Sequence, residues 1–313
     1  MKPGSHASGR DFEGVGKSMK TRLFSSLRGA FSLLLFSLNT IFWAFPIVFV
    51  QFVKLLIPMG GWRRFWGGFQ NGMGILWISF NNLNLRLLNP ARWNVELPSD
   101  LSDDDWYVVV ANHQSWVDIL VLQKIFNGRI PFLKFFLKKE LFWVPFLGLA
   151  WWSLDYPFLE RSRSASKDLE TIRRAAEKFK VAPVSVMNFV EGTRFQPEKH
   201  QKQRSPYAHL LKPKAGGLTS ILNFMGDRVP WILDVTIAYP GGAPSLWQFL
   251  CGDVEEVRVR VQKIPVTRDL RGDLAQDKAF RRSFLIWLKE RWNEKDQVME
   301  ELLTSWKPSG RSS

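Results

Sequence analysis

Cysteine is all but missing from this 313-residue chain, where Cys251 stands alone. No intrachain disulfide can form, and no metal site can be built from several cysteines. Such usage fits a reducing compartment. Histidine is nearly as scarce, with four copies. His6 lies in a polar N-terminal stretch and His200 and His209 in a polar, turn-rich one, which leaves His113 as the histidine that follows a strand-like segment. There is no internal repeat. The chain also carries no groove-reading motif, so nucleic acid is not an expected partner despite the net charge of +14.

Aromatic residues are plentiful, with 15 Trp and 25 Phe. Together with excess Lys and Arg, they suit a protein working at a membrane–water boundary. Residues 1–64 hold nine lysines and arginines against Asp11 and Glu13, a balance of +7. That charge is read either as a solvated basic tail or as attraction to anionic lipid head groups, at about 1 kcal/mol per basic residue near the surface. Between these charges, residues 29–53 form an uncharged run long enough to cross a hydrocarbon core of about 30 Å. A cleaved signal peptide does not fit, because the run is long and no small-residue cleavage site follows it. A second uncharged run, 65–85, carries Gln70, Asn71, Asn81, Asn82 and Asn84. Its polarity argues for a half-buried or interfacial helix. Pro58, Gly60 and Gly61 supply a turn between the runs, and Arg63 and Arg64 a second basic flank. A hairpin or two-pass anchor with the following domain in the cytoplasm is the expected arrangement.

Beyond residue 86 the pattern is that of an α/β domain. Strand-like runs occur at 106–110, 184–190, 232–238 and 257–261, with helical patterns at 115–126, 166–179, 215–224 and 278–303. Alternation of this kind implies a mostly parallel sheet covered by helices. The expected organisation is a disordered basic tail at 1–22, membrane-anchoring helices at 23–85, a catalytic domain at 86–306 and a tail at 307–313.

Three clusters carry chemistry. Asn112-His113-Gln114-Ser115-Trp116-Val117-Asp118 places a histidine and a carboxylate five residues apart after an apolar run. A histidine with an ionised partner is the simplest general base near neutral pH. Ser115 followed by Asp118 is also close to a capping box, so Asp118 can equally belong to the first turn of a helix starting at Ser115. The two readings are compatible. In Asn188-Phe189-Val190-Glu191-Gly192-Thr193-Arg194 a strand again runs into a turn. It is either a surface turn with a Glu/Arg pair, or a site where Gly192 lets the backbone approach a ligand, Thr193 offers a hydroxyl and Arg194 a fork matching phosphate. Lys138 and Lys139, with Arg161 further on, are candidates to line an anionic-ligand pocket.

Together these clusters resemble the lysophospholipid acyltransferase family, in particular its 1-acylglycerol-3-phosphate acyltransferases. His113 to Asp118 looks like the family's H-x4-D signature, and Glu191-Gly192-Thr193-Arg194 matches its EGTR block. Lys138 through Arg161 is similar to an intervening block, and Val229-Pro230 with residues 235–240 to the last. The resemblance covers roughly residues 106–240. Val190, Asp155, Glu160 and Phe195 stand where many members have Pro, Gly, Asp and Ser.

The resemblance implies a glycerolipid acyltransferase-like fold behind an N-terminal hydrophobic helical anchor, and a bacterial inner-membrane enzyme. The implied reaction moves an acyl group from acyl-CoA or acyl carrier protein to the sn-2 hydroxyl of 1-acylglycerol-3-phosphate. His113 would serve as base and Asp118 as its partner, while Glu191, Gly192, Thr193, Arg194, Arg161, Lys138 and Lys139 bind substrate. No metal or cofactor is expected; partners are lysophospholipid, acyl thioester and membrane lipids. The alternatives are an acyltransferase acting on another lysophospholipid or on glycerol-3-phosphate, and a non-catalytic membrane-tethered protein binding anionic lipid or nucleic acid.

Overall fold

The computed structural model describes residues 19–160, 165–180 and 182–304. It begins with two long antiparallel helices, α1 (Met19–Leu56) and α2 (Gly60–Leu88). Helix α1 takes in Met19 to Arg22, the last four residues of the expected tail, because lysine and arginine are good helix formers. Polar pairs join the hairpin. Ser32 Oγ donates to Asn84 Oδ1 at 2.9 Å, and Asn39 Nδ2 donates to Asn81 Oδ1 at 2.8 Å. Asn81 and Asn84 thus point onto α1, where a buried amide left unpaired would cost about 1–3 kcal/mol. They fix the register of the two helices.

Among the described residues, α1 is the one helix long and apolar enough to cross a bilayer. Unlike a soluble helix, it turns most of its large apolar residues outward. Ser25, Gly29, Ser32 and Gln51 turn inward together with Ala44, Ile47 and Val50. The outward stripe is Phe24, Leu27, Phe31, Leu34, Leu38 and Phe42, continuing through Phe45, Phe49, Phe52 and Leu56, all exposed. This spacing of three and four residues keeps the stripe on one side. Contacts along its length fasten α1 to the α/β domain, three of them especially clear. Arg28 Nε donates to the Cys251 carbonyl at 3.0 Å, Phe45 packs against Phe146 with ring centroids 6.0 Å apart, and Lys54 Nζ lies 2.7 Å from Asp155 Oδ2. Residues 28–54 cover about 39 Å of helix, so α1 lies along the domain rather than projecting from it.

The domain continues with β1 (Arg92–Glu96), β2 (Tyr107–Ala111), α3 (Val117–Phe126), β3 (Leu133–Phe135), β4 (Leu137–Lys138), α4 (Leu147–Ser153) and β5 (Phe158–Leu159). Then come α5 (Ala165–Phe179), β6 (Ser185–Phe189), α6 (Pro197–Gln203), α7 (Ala215–Met225), β7 (Trp231–Ala238), α8 (Leu246–Leu250), β8 (Glu256–Pro265) and α9 (Lys278–Thr304). Six strands form one sheet in the order β1-β8-β7-β2-β6-β3. Strands β7, β2, β6 and β3 are parallel; β8 runs antiparallel to β7 and carries β1 alongside it.

Strand β2 shows why the sheet is covered on both faces. Tyr107, Val109 and Ala111 join the core beneath α1, α2 and α3, whereas Val108 and Val110 join the one beneath α5, α7 and α9. A strand apolar on both faces belongs at the centre of a parallel sheet. The mostly parallel α/β architecture agrees with the sequence reading. Its register decides where the site forms: Ala111 pairs with Phe189 on one side and Val235 on the other. The segments leaving the carboxyl ends of β2, β6 and β7 therefore converge.

Candidate active site

Asn112 leaves β2 fully buried and clamps the neighbouring strand. Its Nδ2 donates to the Ile237 carbonyl at 2.9 Å, and its Oδ1 accepts from Ile237 N–H at 2.8 Å. The next residue, His113, is thereby held at a fixed height above the sheet. Its ring stacks on Phe189 from β6, with centroids 3.9 Å apart and planes at 17°.

His113 Nδ1 lies 2.8 Å from Asp118 Oδ2. Asp118 is fully buried, and Oδ2 also accepts backbone N–H bonds from Gln114 at 2.6 Å and Ser115 at 2.9 Å. Its other oxygen, Oδ1, accepts the Tyr239 hydroxyl at 2.7 Å. A carboxylate engaged in this way is an acceptor only, so in the neutral ring the proton sits on Nδ1 and the lone pair on Nε2. Burial, and then the Asp118 charge, push the Tyr239 hydroxyl well above its ordinary pKa, which keeps it a donor.

The helix after this motif begins at Val117 rather than Ser115. Ser115 Oγ accepts from Val117 N–H at 3.0 Å and donates to the Pro244 carbonyl at 2.5 Å. Ser115 thus ties the motif to the segment after β7, and the reaching-back half of a capping box comes from Asp118.

The second motif folds against the first. Gly192 adopts φ of +71°, and its N–H closes a turn onto the Phe189 carbonyl at 2.8 Å. A side chain there would be strained, and its Cβ would sit 3.1 Å from Lys214 Nζ. Phe195 N–H donates to the His113 carbonyl at 2.7 Å, joining the two motifs. The Arg194 guanidinium lies over the exposed Trp116 ring, 4.9 Å from its centroid. Thr193 Oγ1 accepts from Lys199 Nζ at 2.7 Å. Three cations, Arg194, Lys199 and Lys214, thus surround the Gly192 turn, and a concentration of donors of this kind suits a phosphate.

Glu191 stands behind His113, fully buried. Burial pushes its carboxyl up to about 8, against the opposing pull of the His113 and Leu211 backbone. Neither carboxylate oxygen has a well-formed hydrogen bond. Lys138 and Lys139 lie exposed at the edge of the β4–β5 pair, and Lys139 is engaged by Glu160 at 2.6 Å. Arg161 lies outside the described residues.

The structure therefore brings together His113, Asp118, Gly192, Thr193 and Arg194. Sequence reasoning assigned no role to Tyr239, Trp116, Lys199 or Lys214. Tyr239 had a visible signal, as a hydroxyl-bearing residue at the end of an apolar strand. The two lysines had none, because their place depends on how the chain returns past Gly192.

A buried acid–histidine pair beside a cationic turn, above the carboxyl edge of a mostly parallel sheet, defines an α/β domain equipped for general-base chemistry on an anionic substrate. Residues 92–237 match the family model described as Acyltransferase. The chain is 29% identical over 206 residues to the Mus musculus 1-acyl-sn-glycerol-3-phosphate acyltransferase gamma, covering 62% of this chain and 52% of that protein. It is 27% identical over 219 residues to 1-acyl-sn-glycerol-3-phosphate acyltransferase 3 of Arabidopsis thaliana, covering 63% and 54%. The alignment thus spans about half the length of these relatives. The crystal structure of the 1-acyl-sn-glycerophosphate (LPA) acyltransferase PlsC from Thermotoga maritima shares the fold, with a TM-score of 0.58 and 19% identity over 92% of this chain and 99% of that one. Within residues 92–237 the chain thus carries a match to the acyltransferase family model, and it is similar in sequence and fold to 1-acylglycerol-3-phosphate acyltransferases.

Proposed function

We propose that this chain transfers an acyl group from a thioester, acyl-CoA or acyl-carrier protein, to the sn-2 hydroxyl of 1-acylglycerol-3-phosphate, giving phosphatidic acid. The observation that carries this reading is the His113–Asp118 pair at 2.8 Å, with Nε2 left as a base beside the Arg194 fork. Nε2 takes the proton of the acceptor hydroxyl as its oxygen attacks the thioester carbonyl. A carbon–oxygen bond forms, the carbon–sulfur bond breaks, and the imidazolium returns the proton to the departing thiolate. Asp118 stabilises the imidazolium in between, as the acid does in a serine-protease triad. Arg194, with Lys199 and Lys214, holds the acceptor phosphate. Cys251 supports no acyl-enzyme, since it is buried against Gly29 of α1.

The lipid acceptor arrives from the membrane. The outward stripe of α1 is read as lying in one leaflet, with the domain on the cytoplasmic side. Its attachments to the domain favour this, because a helix bound along its length cannot cross a bilayer without drawing the domain in. A reporter fused after Ser313 should be cytoplasmic.

The decisive assay offers purified full chain and labelled acyl-CoA a panel of lysophospholipids and glycerol-3-phosphate. Preferential acylation of 1-acylglycerol-3-phosphate is expected; preference for another acceptor would overturn the substrate assignment.

A further inference from the structure

A cavity of about 550 Å³ opens between the turn of the α1–α2 hairpin and the domain. It is bounded by the end of α1, the start of α2 and the segment leading into β6. Val184 lies before β6 and Glu191 after it, so the strand, about 17 Å long, separates the cavity from the His113 site. His113, Asp118 and the cations of the Gly192 turn are not among the residues that line this space.

Its charge is one-sided. Lys54, Arg63, Arg64, Lys134 and Lys178 line it, against Asp155 and Glu177. Glu177 is paired with Lys180 at 2.8 Å. Asp155 is shared between Lys54 at 2.7 Å and Lys178 at 2.9 Å. Lys134 is buried and donates to the Leu154 carbonyl at 2.8 Å; burial lowers its amine to about 8. Arg63 and Arg64 are exposed and have no acidic partner among the described residues.

Asp155 is the unusual element. It occupies φ of +58°, a conformation uncommon outside glycine, at a position where many members of the resembled family have Gly. The carboxylate accepts that strain and gathers the lysines of α1 and α5 around the cavity. Its walls are partly apolar, through Leu55, Leu154 and Phe179. The outward stripe of α1 ends beside it at Phe52 and Leu56. A Cβ on Gly60 or Gly68 would meet nothing within 4 Å, so α2 leaves room for a guest.

We propose that this cavity is a second lipid site, which takes the phosphate head group of an anionic phospholipid from the leaflet on which α1 rests. Arg63 and Arg64 are its phosphate ligands, through charge-assisted hydrogen bonds. The bound lipid pins the hairpin turn to the membrane. The proposal rests on the lipid-facing reading of α1 and is independent of the chemistry at His113.

The test is photolabelling of the full chain in phosphatidylcholine vesicles with diazirine-tagged phosphatidylglycerol, in parallel with diazirine-tagged diacylglycerol. Phosphatidylglycerol is expected to label peptides from 60–71 and 177–184, and diacylglycerol the outer stripe of α1. Arg63→Ser/Arg64→Ser should cut the cavity labelling on the order of tenfold or more. Gly68→Phe should do the same, since it fills the space and keeps every charge. Acyl transfer on detergent-dispersed substrate should stay near the parent rate in both variants, showing that they are folded. Equal cavity labelling by the two probes, or labelling that survives both variants, overturns the proposal. Displacement by millimolar inorganic phosphate does so too, because free phosphate would then be the ligand. Absence of diacylglycerol label from α1 would instead remove the lipid-facing reading, and the proposal with it.

Discussion

Tyr239 and His113 grip opposite oxygens of one carboxylate: the tyrosine hydroxyl donates to Asp118 Oδ1 at 2.7 Å while His113 Nδ1 takes Oδ2 at 2.8 Å. Held at both ends, the carboxylate cannot rotate away from the imidazole. Tyr239→Phe leaves Oδ1 buried without its donor, a loss of about 1–3 kcal/mol. Steady-state kinetics should show kcat reduced about tenfold with KM for the acceptor unchanged. Asp118→Asn should fall much further, on the order of 10⁴, because it favours the wrong tautomer. An unaltered kcat in Tyr239→Phe would take Tyr239 out of the catalytic arrangement.

His113→Ala should lower acyl transfer by about 10²–10⁴ through loss of the base. Vesicle binding should be unaffected, since the lipid-facing stripe of α1 is separate from the motif. Activity near that of the parent chain, measured with acyl-CoA and 1-acylglycerol-3-phosphate, would remove His113 from the reaction.

Trp116 and Arg194 form a different kind of pair. The guanidinium rests over the indole at 4.9 Å, and an exposed contact of this type is worth about 0.5–1 kcal/mol. Trp116→Ala should therefore raise KM for the phosphorylated acceptor a few-fold, through a less ordered arginine. Arg194→Ala removes the charge-assisted bonds themselves and should raise it about tenfold or more. Competition with an unphosphorylated monoacylglycerol separates the two roles. Loss of discrimination is expected for Arg194→Ala only.

What the sequence disclosed follows from distance along the chain. His113 and Asp118 are five residues apart, so their pairing and their helix-start chemistry were both visible. The alternation of apolar runs revealed the sheet, because β2, β6 and β7 are apolar enough to be buried. Tyr239 reaches Asp118 across 121 residues, a contact that exists only through the register of β2 with β7. Asn81 and Asn84 looked merely polar. Their partners, Asn39 and Ser32, lie on another helix, and only the hairpin's register shows that they are satisfied there. Glu191 was read with its motif as a substrate ligand; the turn at Gly192 sends Arg194 outward and leaves the glutamate beneath His113.

That buried glutamate makes stability depend on pH. Its folded-state pKa is raised from 4.5 to about 8, chiefly by burial. Between those values the folded chain keeps a proton that the unfolded chain has released, so the folded state binds more protons and stability falls as pH rises. The effect at the alkaline end is on the order of a few kcal/mol. Glu191→Gln keeps the shape and cannot ionise, so its stability should be flat across this window. Urea midpoints measured from about pH 5 to about pH 8 should fall for the parent chain and stay level for the variant, with Glu191→Gln the more stable at the alkaline end. Parallel slopes for the two proteins would mean that Glu191 is already ionised in the folded state. The carboxylate would then be held by the His113 and Leu211 backbone more strongly than burial opposes it.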